Sequence, residues 1–169
     1  LMFGDSFIRW LKSHQAEGQP IRQDGPETHL LTKAGTPTMG GLLILACFIT
    51  STLLWVPLSN PYLWPVLLIA GSYGAIGAVD DWLKLKKRSS DGMSGRQKLT
   101  LQVGAAFIAS LVLIQLSPDE LRYGVALPFI KDTLLYLGLF YVPFAILVIV
   151  GASNAVNLTD GLDGLAIVP

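Results

Sequence analysis

Long uncharged runs alternate with short charged ones along this chain, and the alternation decides the fold class before any motif is considered. Four runs, 40–58, 62–79, 99–116 and 133–150, contain no Asp, Glu, Lys or Arg. Each approaches the 20 or so residues that a helix rising about 1.5 Å per residue needs to cross a bilayer core. The pattern predicts an all-α, polytopic transmembrane helix bundle with about four spans. The first two are joined by Ser59-Asn60-Pro61, a tight turn whose proline opens the second span, and Pro65 falls harmlessly in that span's first turn. Pro143 sits mid-way along the fourth run and predicts a kink there.

Composition agrees. Charged residues are 14% of the chain, where a soluble domain carries about 25%, and the mean hydropathy is +0.53. Formal net charge is +0, so no basic excess points to a nucleic-acid partner. Cys47 is the sole cysteine, which excludes an internal disulfide framework. His14 and His29 are too isolated to argue a metal site. The chain opens on Leu1 and stops at Pro169 as another apolar run begins, so the expectation is a fragment of a larger protein. Residues 1–10 are short and carry Asp5 and Arg9, so they do not resemble a cleavable signal peptide.

Basic residues set the expected orientation. Arg9, Lys12, Arg22 and Lys33 precede the first span, and Lys84, Lys86, Lys87, Arg88, Arg96 and Lys98 lie between the second and third. Only Arg122 and Lys131 fall between the third and fourth, beside Asp119, Glu120 and Asp132. The positive-inside rule therefore makes 12–39, 80–98 and 151–164 cytoplasmic. Every polar cluster of interest falls on that side. Such a face suits a charged, soluble substrate meeting a membrane-bound one.

The clusters differ in strength. Asp80-Asp81 follows the apolar run ending at Val79, and carboxylates at a membrane edge are costly and usually functional or paired. Magnesium favours hard oxygen ligands, commonly one or two carboxylates plus substrate phosphates. Neighbours on a helix point about 100° apart, so the two aspartates are expected to do different jobs. A solvated helix end neutralised by Lys84 is the plain alternative. Residues 154–164 carry Asn154, Asn157, Asp160 and Asp163 at three-residue spacing, with Gly161 and Gly164 among them. Those glycines disfavour unbroken helix and let a ligand approach the backbone closely. Four such side chains in so short a stretch are too dense for capping alone, and they suit a nucleotide, a sugar or a metal-bound diphosphate. Thr36-Pro37 reads as a helix start whose N–H groups, with Lys33 nearby, favour an anion. An ordinary capped span explains those residues equally well. The 84–88 basic run reads as a lipid-headgroup anchor.

Together these residues resemble one family. Asp24-Gly-Pro-Glu-Thr-His29, Lys33-Ala-Gly-Thr-Pro-Thr38-Met-Gly-Gly41, Asp80-Asp81 and the 154–164 stretch are similar, in order and across the chain, to the bacterial phospho-N-acetylmuramoyl-pentapeptide transferases. The resemblance implies a multi-pass enzyme of about ten helices in the bacterial cytoplasmic (inner) membrane, of which this chain is a partial catalytic domain. It implies transfer of phospho-N-acetylmuramoyl-pentapeptide from its UDP carrier to undecaprenyl phosphate, with magnesium, giving lipid I and UMP for peptidoglycan. Asp80 and Asp81 match the family's aspartate pair, one of them a proposed base on the lipid phosphate. Asn154, Asn157, Asp160, Gly161 and Asp163, with Lys33 and Thr38, match the part that binds the nucleotide substrate. Asp80 and Asp81 would also touch the metal, while its main aspartate ligand and a histidine-rich loop would lie beyond Pro169. The fragment alone is then expected to be inactive, and a homodimer is among the states open to the full-length protein.

Two other readings compete. A relative transferring N-acetylglucosamine 1-phosphate would share the aspartate pair and the Asn/Asp stretch, but not Pro37-Thr-Met-Gly-Gly41. A non-catalytic transporter or scaffold predicts acidic residues buried mid-span, and all four runs lack them.

Overall fold

The structure is a computed structural model, described here for residues 4–14, 40–89, 91–127, 130 and 133–159. Among the described residues, five helices and a short hairpin run in order: α1 (Gly4–His14), α2 (Gly41–Trp55), α3 (Leu63–Lys87), α4 (Gly95–Leu116), β1 (Gly124–Ala126), β2 (Leu134–Tyr136), a 3-10 turn (Gly138–Phe140) and α5 (Tyr141–Thr159). Among the described residues, three stretches are long and apolar enough to cross a membrane: Leu63–Lys87, Gly95–Leu116 and Gly138–Leu158. The chain is thus helical and polytopic. The fold forms two compact units, Leu1–Ser59 with Ala70–Lys98, and Asn60–Ile69 with Leu99–Pro169.

In the first unit α1 is too short to span: 11 residues reach about 16 Å. It is amphipathic, burying Leu11 while Ile8, Arg9 and Trp10 stay exposed. The apolar helix α2 begins after Gly40, so the helix start expected at Thr36-Pro37 lies outside the described residues. It stops at Trp55 because Pro57 forces the residue before it out of the helical region; Val56 is extended, at φ −93° and ψ 131°. Gly74 of α3 meets Leu45 of α2 so closely that any Cβ there would overlap the leucine side chain.

Helix α3 does not end where its apolar run ends. It continues through Asp80 and Asp81 to Lys87, so both aspartates lie inside a helix rather than at its solvated terminus. The termination is local chemistry. Arg88 takes a left-handed conformation, φ 50°, while Ser89 N–H donates to Lys84 O at 3.2 Å and Arg88 N–H to Leu85 O at 3.3 Å. Those are the two bonds of a Schellman C-cap, here without its usual glycine. Helix α4 starts with reciprocal capping: Gln97 N–H donates to Ser94 Oγ and Ser94 N–H to Gln97 Oε1, each at 3.3 Å. This capping box satisfies two otherwise orphaned groups.

In the second unit, Asn60 Oδ1 accepts from Tyr62 N–H at 3.0 Å, closing the Ser59-Asn60-Pro61 turn. The Tyr62 hydroxyl donates to Leu116 O, at the end of α4, at 3.0 Å. The buried side of α4 is Gln102, Ala106, Ala109, Ser110 and Ile114, a face of mostly small residues that permits close helix approach. Most remaining large apolar side chains are exposed, Leu139, Phe140 and Leu147 among them. Such an apolar exterior is matched to lipid rather than water.

The fourth uncharged run departs from its expected form. Its first residues make β2, paired antiparallel with β1 as Gly124↔Tyr136, Val125↔Leu135 and Ala126↔Leu134. Helix α5 begins only at Tyr141 and runs past residue 150 to Thr159. Gly138, at φ +52°, supplies the break between strand and helix that most residues resist. The shift moves Pro143 from mid-span into the first turn, where its missing N–H costs nothing. The kink expected there has no cause. The shift also carries Asn154 and Asn157 onto regular helix, because the disfavouring glycines come only at 161 and 164.

Candidate active site at the end of a long helix

Asp80 is the most constrained carboxylate among the described residues of the first unit. Its side chain is 10% exposed, and Lys84 Nζ, one turn later on α3, lies 2.8 Å from Oδ2. Lys98, near the start of α4, brings a second ammonium to 3.8 Å of the same oxygen. The other oxygen, Oδ1, accepts Met93 N–H at 2.8 Å from the loop between α3 and α4. Gly92 makes that approach feasible. A Cβ on Gly92 would overlap the Asp80 carboxylate and come within 2.9 Å of the Asp80 carbonyl oxygen. Lys87 Nζ donates to Gly92 O at 3.4 Å, holding the loop from its other side.

Asp81 stands differently. The helical turn of about 100° per residue gives it a different direction from Asp80, and its side chain is 28% exposed with Lys84 Nζ at 3.5 Å from Oδ1. The adjacent carboxylates therefore occupy distinct environments. Both oxygens of Asp80 are engaged by protein groups, whereas the Asp81 carboxylate keeps a larger accessible surface. Lys84 bridges them.

Chemically this is a compact set of two carboxylates, two ammonium groups and a backbone N–H. Its oxygen donors fit magnesium in kind, since that ion commonly takes one or two carboxylates and fills the rest of its shell with water and phosphate oxygens. They fall short in number of a closed protein cage: among the described residues no group of three or more metal-ligating side chains occurs. The arrangement fits an ion shared with a phosphate-bearing substrate.

Asn154 and Asn157 lie on α5, in the second unit. Asn154 donates both amide hydrogens within the protein, to Gln102 Oε1 at 2.9 Å and to Val150 O at 2.8 Å. Asn157, one turn on, is exposed. Lys33, Thr38, Asp160, Gly161 and Asp163 lie outside the described residues. Sequence reasoning missed Gln102, Gly92 and Met93. For Gln102 a signal existed, since a glutamine inside an uncharged span is costly unless it has a partner. Met93 contributes only backbone, which no residue-type search finds.

The sequence profile described as Glycosyl transferase family 4 matches residues 63–168. Residues 33–45 match the phospho-N-acetylmuramoyl-pentapeptide-transferase signature 1. Proteins named phospho-N-acetylmuramoyl-pentapeptide-transferase are similar along the chain. That of Granulibacter bethesdensis is 57% identical over 168 residues, 99% of this chain and 46% of its own length. The Ruegeria pomeroyi protein is 55% identical over the same shares. That of Gluconobacter oxydans is 54% identical over 169 residues, 100% of this chain and 47% of its own. The chain thus spans about half the length of the curated relatives it matches.

Proposed function

The chain belongs to glycosyl transferase family 4, and from that premise we propose that it works within a membrane enzyme making lipid I. The reaction moves phospho-N-acetylmuramoyl-pentapeptide from UDP to undecaprenyl phosphate and releases UMP. Identity of 54–57% along the whole chain to proteins named for this transfer carries the reading. The aspartate pair supports it, as does the signature over 33–45 that includes Lys33 and Thr38.

In this reading Asp81, the more exposed carboxylate, meets the metal-bound diphosphate, and Asp80 fixes the surrounding charge through Lys84 and Lys98. Magnesium would be held by this pair together with an aspartate from the rest of the enzyme, and would supply positive charge that offsets the diphosphate. Lys84 and Lys98 add positive charge where the phosphates approach. Asn157, Asp160 and Asp163, with Lys33 and Thr38, take the nucleotide part. The site opens to the cytoplasm across the inner membrane, on the strength of the basic residues of 80–98.

Donor choice tests the reading. Purified full-length protein given undecaprenyl phosphate and magnesium is expected to turn over UDP-N-acetylmuramoyl-pentapeptide and to leave UDP-N-acetylglucosamine untouched. The opposite preference would assign the chain to another branch of its family.

Orientation has its own test. In a background cleared of native cysteines, Cys47→Ser included, an impermeant reagent is expected to label Ser59→Cys in intact cells. Asp91→Cys should react only after lysis. The reverse pattern would place the aspartate pair outside the cell and overturn the proposed substrate access.

Asp160→Ala in the full-length enzyme is expected to weaken nucleotide binding more than use of the lipid. A carboxylate accepts hydrogen bonds from a base or ribose but repels a lipid phosphate unless a metal intervenes. Losing charged hydrogen bonds costs about 1.5–3 kcal/mol, a roughly ten- to hundredfold rise in Kd. Titration of each substrate separately decides it. A dominant loss on the polyprenyl phosphate would move Asp160 to the metal or lipid side.

A further inference from the structure

Within the second unit a polar contact joins two membrane helices. Gln102, two turns into α4, is 5% exposed, and its Oε1 accepts from Asn154 Nδ2, near the end of α5, at 2.9 Å. The same Asn154 amide also donates to Val150 O, one turn back on its own helix, at 2.8 Å. That second bond fixes the asparagine rotamer, so the first fixes the two helices against each other. Each partner would be costly to leave unpaired in an apolar setting. Elsewhere the buried side of α4 is Ala106, Ala109, Ser110 and Ile114, and the Ser110 hydroxyl turns inward to Ala106 O at 2.7 Å. Smooth small-residue packing of this kind lets helices approach but does little to set their rotation. The Gln102–Asn154 bond supplies that register. Asn157 follows Asn154 by less than one turn and is exposed, so its direction is set by the rotation of α5.

We propose that Gln102 is a positioning residue: by pinning Asn154 it sets the rotation of α5 and thereby aims Asn157 at the nucleotide substrate. The inference rests on the nucleotide role proposed above for Asn157. It gives Asn154 a part played through the helix rather than through direct contact with substrate.

The test uses the full-length enzyme and four variants: Gln102→Ala, Asn154→Ala, the double alanine, and the exchange Gln102→Asn with Asn154→Gln. Interhelical hydrogen bonds in membranes are of a size to change a binding constant roughly three- to fifteenfold. Each single alanine variant is expected to raise the Kd for UDP-N-acetylmuramoyl-pentapeptide by that factor. The double variant should be no worse than either, because both remove one bond, and the exchange should recover most of the loss. Spin labels on Leu101 and Leu158, both exposed, read the helix pair without any substrate. Their distance distribution should broaden in the alanine variants and narrow again in the exchange. An Asn154→Ala loss that persists undiminished in the Gln102→Ala background would make Asn154 a direct substrate contact and overturn the proposal. Broadening without a change in Kd would reduce the pair to packing and overturn it too. If the wild-type protein bound no UDP substrate at all, the functional reading would fail instead, with the label distances still reporting on the helix pair.

Discussion

Asp80→Asn and Asp81→Asn, each made in the full-length enzyme, are expected to lower turnover by about 10²- to 10³-fold, the scale on which a preorganised charge contact acts. The two should fail for different reasons. Asparagine at 80 keeps an oxygen for Met93 N–H, held at 2.8 Å, but removes the charge that pairs with Lys84 at 2.8 Å and faces Lys98 at 3.8 Å. The loop stays docked while the local field turns more positive. Asparagine at 81 leaves the Asp80 contacts to Met93 and Lys98 in place and removes the more exposed carboxylate, with its charge contact to Lys84 at 3.5 Å. Thermal unfolding in detergent should therefore change little for Asp81→Asn and more for Asp80→Asn, with turnover low in both. Near-normal rates in both variants would reduce the pair to an ordinary charged helix segment.

Gly92→Ala is expected to cost nearly as much, although the residue has no functional group. Its Cβ would overlap the Asp80 carboxylate and crowd the Asp80 carbonyl at 2.9 Å, so the loop must retreat. Retreat breaks the Met93 N–H bond to Oδ1 and the Lys87 bond to Gly92 O. A displacement of about 1 Å near a reacting centre can cost 10²-fold, and a turnover loss of roughly that size is expected here. Nucleotide affinity should remain intact, since the loop belongs to the carboxylate pair. Gly95→Ala is the control: nothing lies within 4 Å of a Cβ there, and its activity should match wild type. Equal behaviour of the two glycine variants would show that loop docking on Asp80 does not matter to the reaction.

These partners explain how far the sequence could be read. Apolar blocks announce membrane helices because a helix must be uncharged for most of its length to sit in lipid. The aspartate pair was legible because carboxylates at the end of such a block are expensive. Asp80's other contacts were not. Met93 reaches it from 13 residues away, through a backbone group, around a loop whose shape depends on Arg88 adopting φ 50°. The capping box Ser94–Gln97 was present in the letters, yet it sat inside a charged stretch read as one loop. The fourth run misled for another reason: Leu134-Leu-Tyr136 is as apolar as any helix, and hydropathy alone does not separate a short strand from a span. Asn154 shows the limit for side chains. Its type and spacing pointed to a ligand, whereas its amide is committed to Gln102 and Val150, a partner choice that only helix packing reveals.

The proposed reaction moves a sugar phosphate rather than a sugar, and the nucleotide left behind reports that directly. Purified full-length enzyme, undecaprenyl phosphate, magnesium and UDP-N-acetylmuramoyl-pentapeptide should be incubated together and the released nucleotide separated by chromatography. UMP is predicted, one molecule for each molecule of lipid diphosphate formed, with release abolished or nearly so in Asp81→Asn. Release of UDP with a lipid product carrying a single phosphate would mean sugar transfer, and would overturn the proposed phosphate transfer.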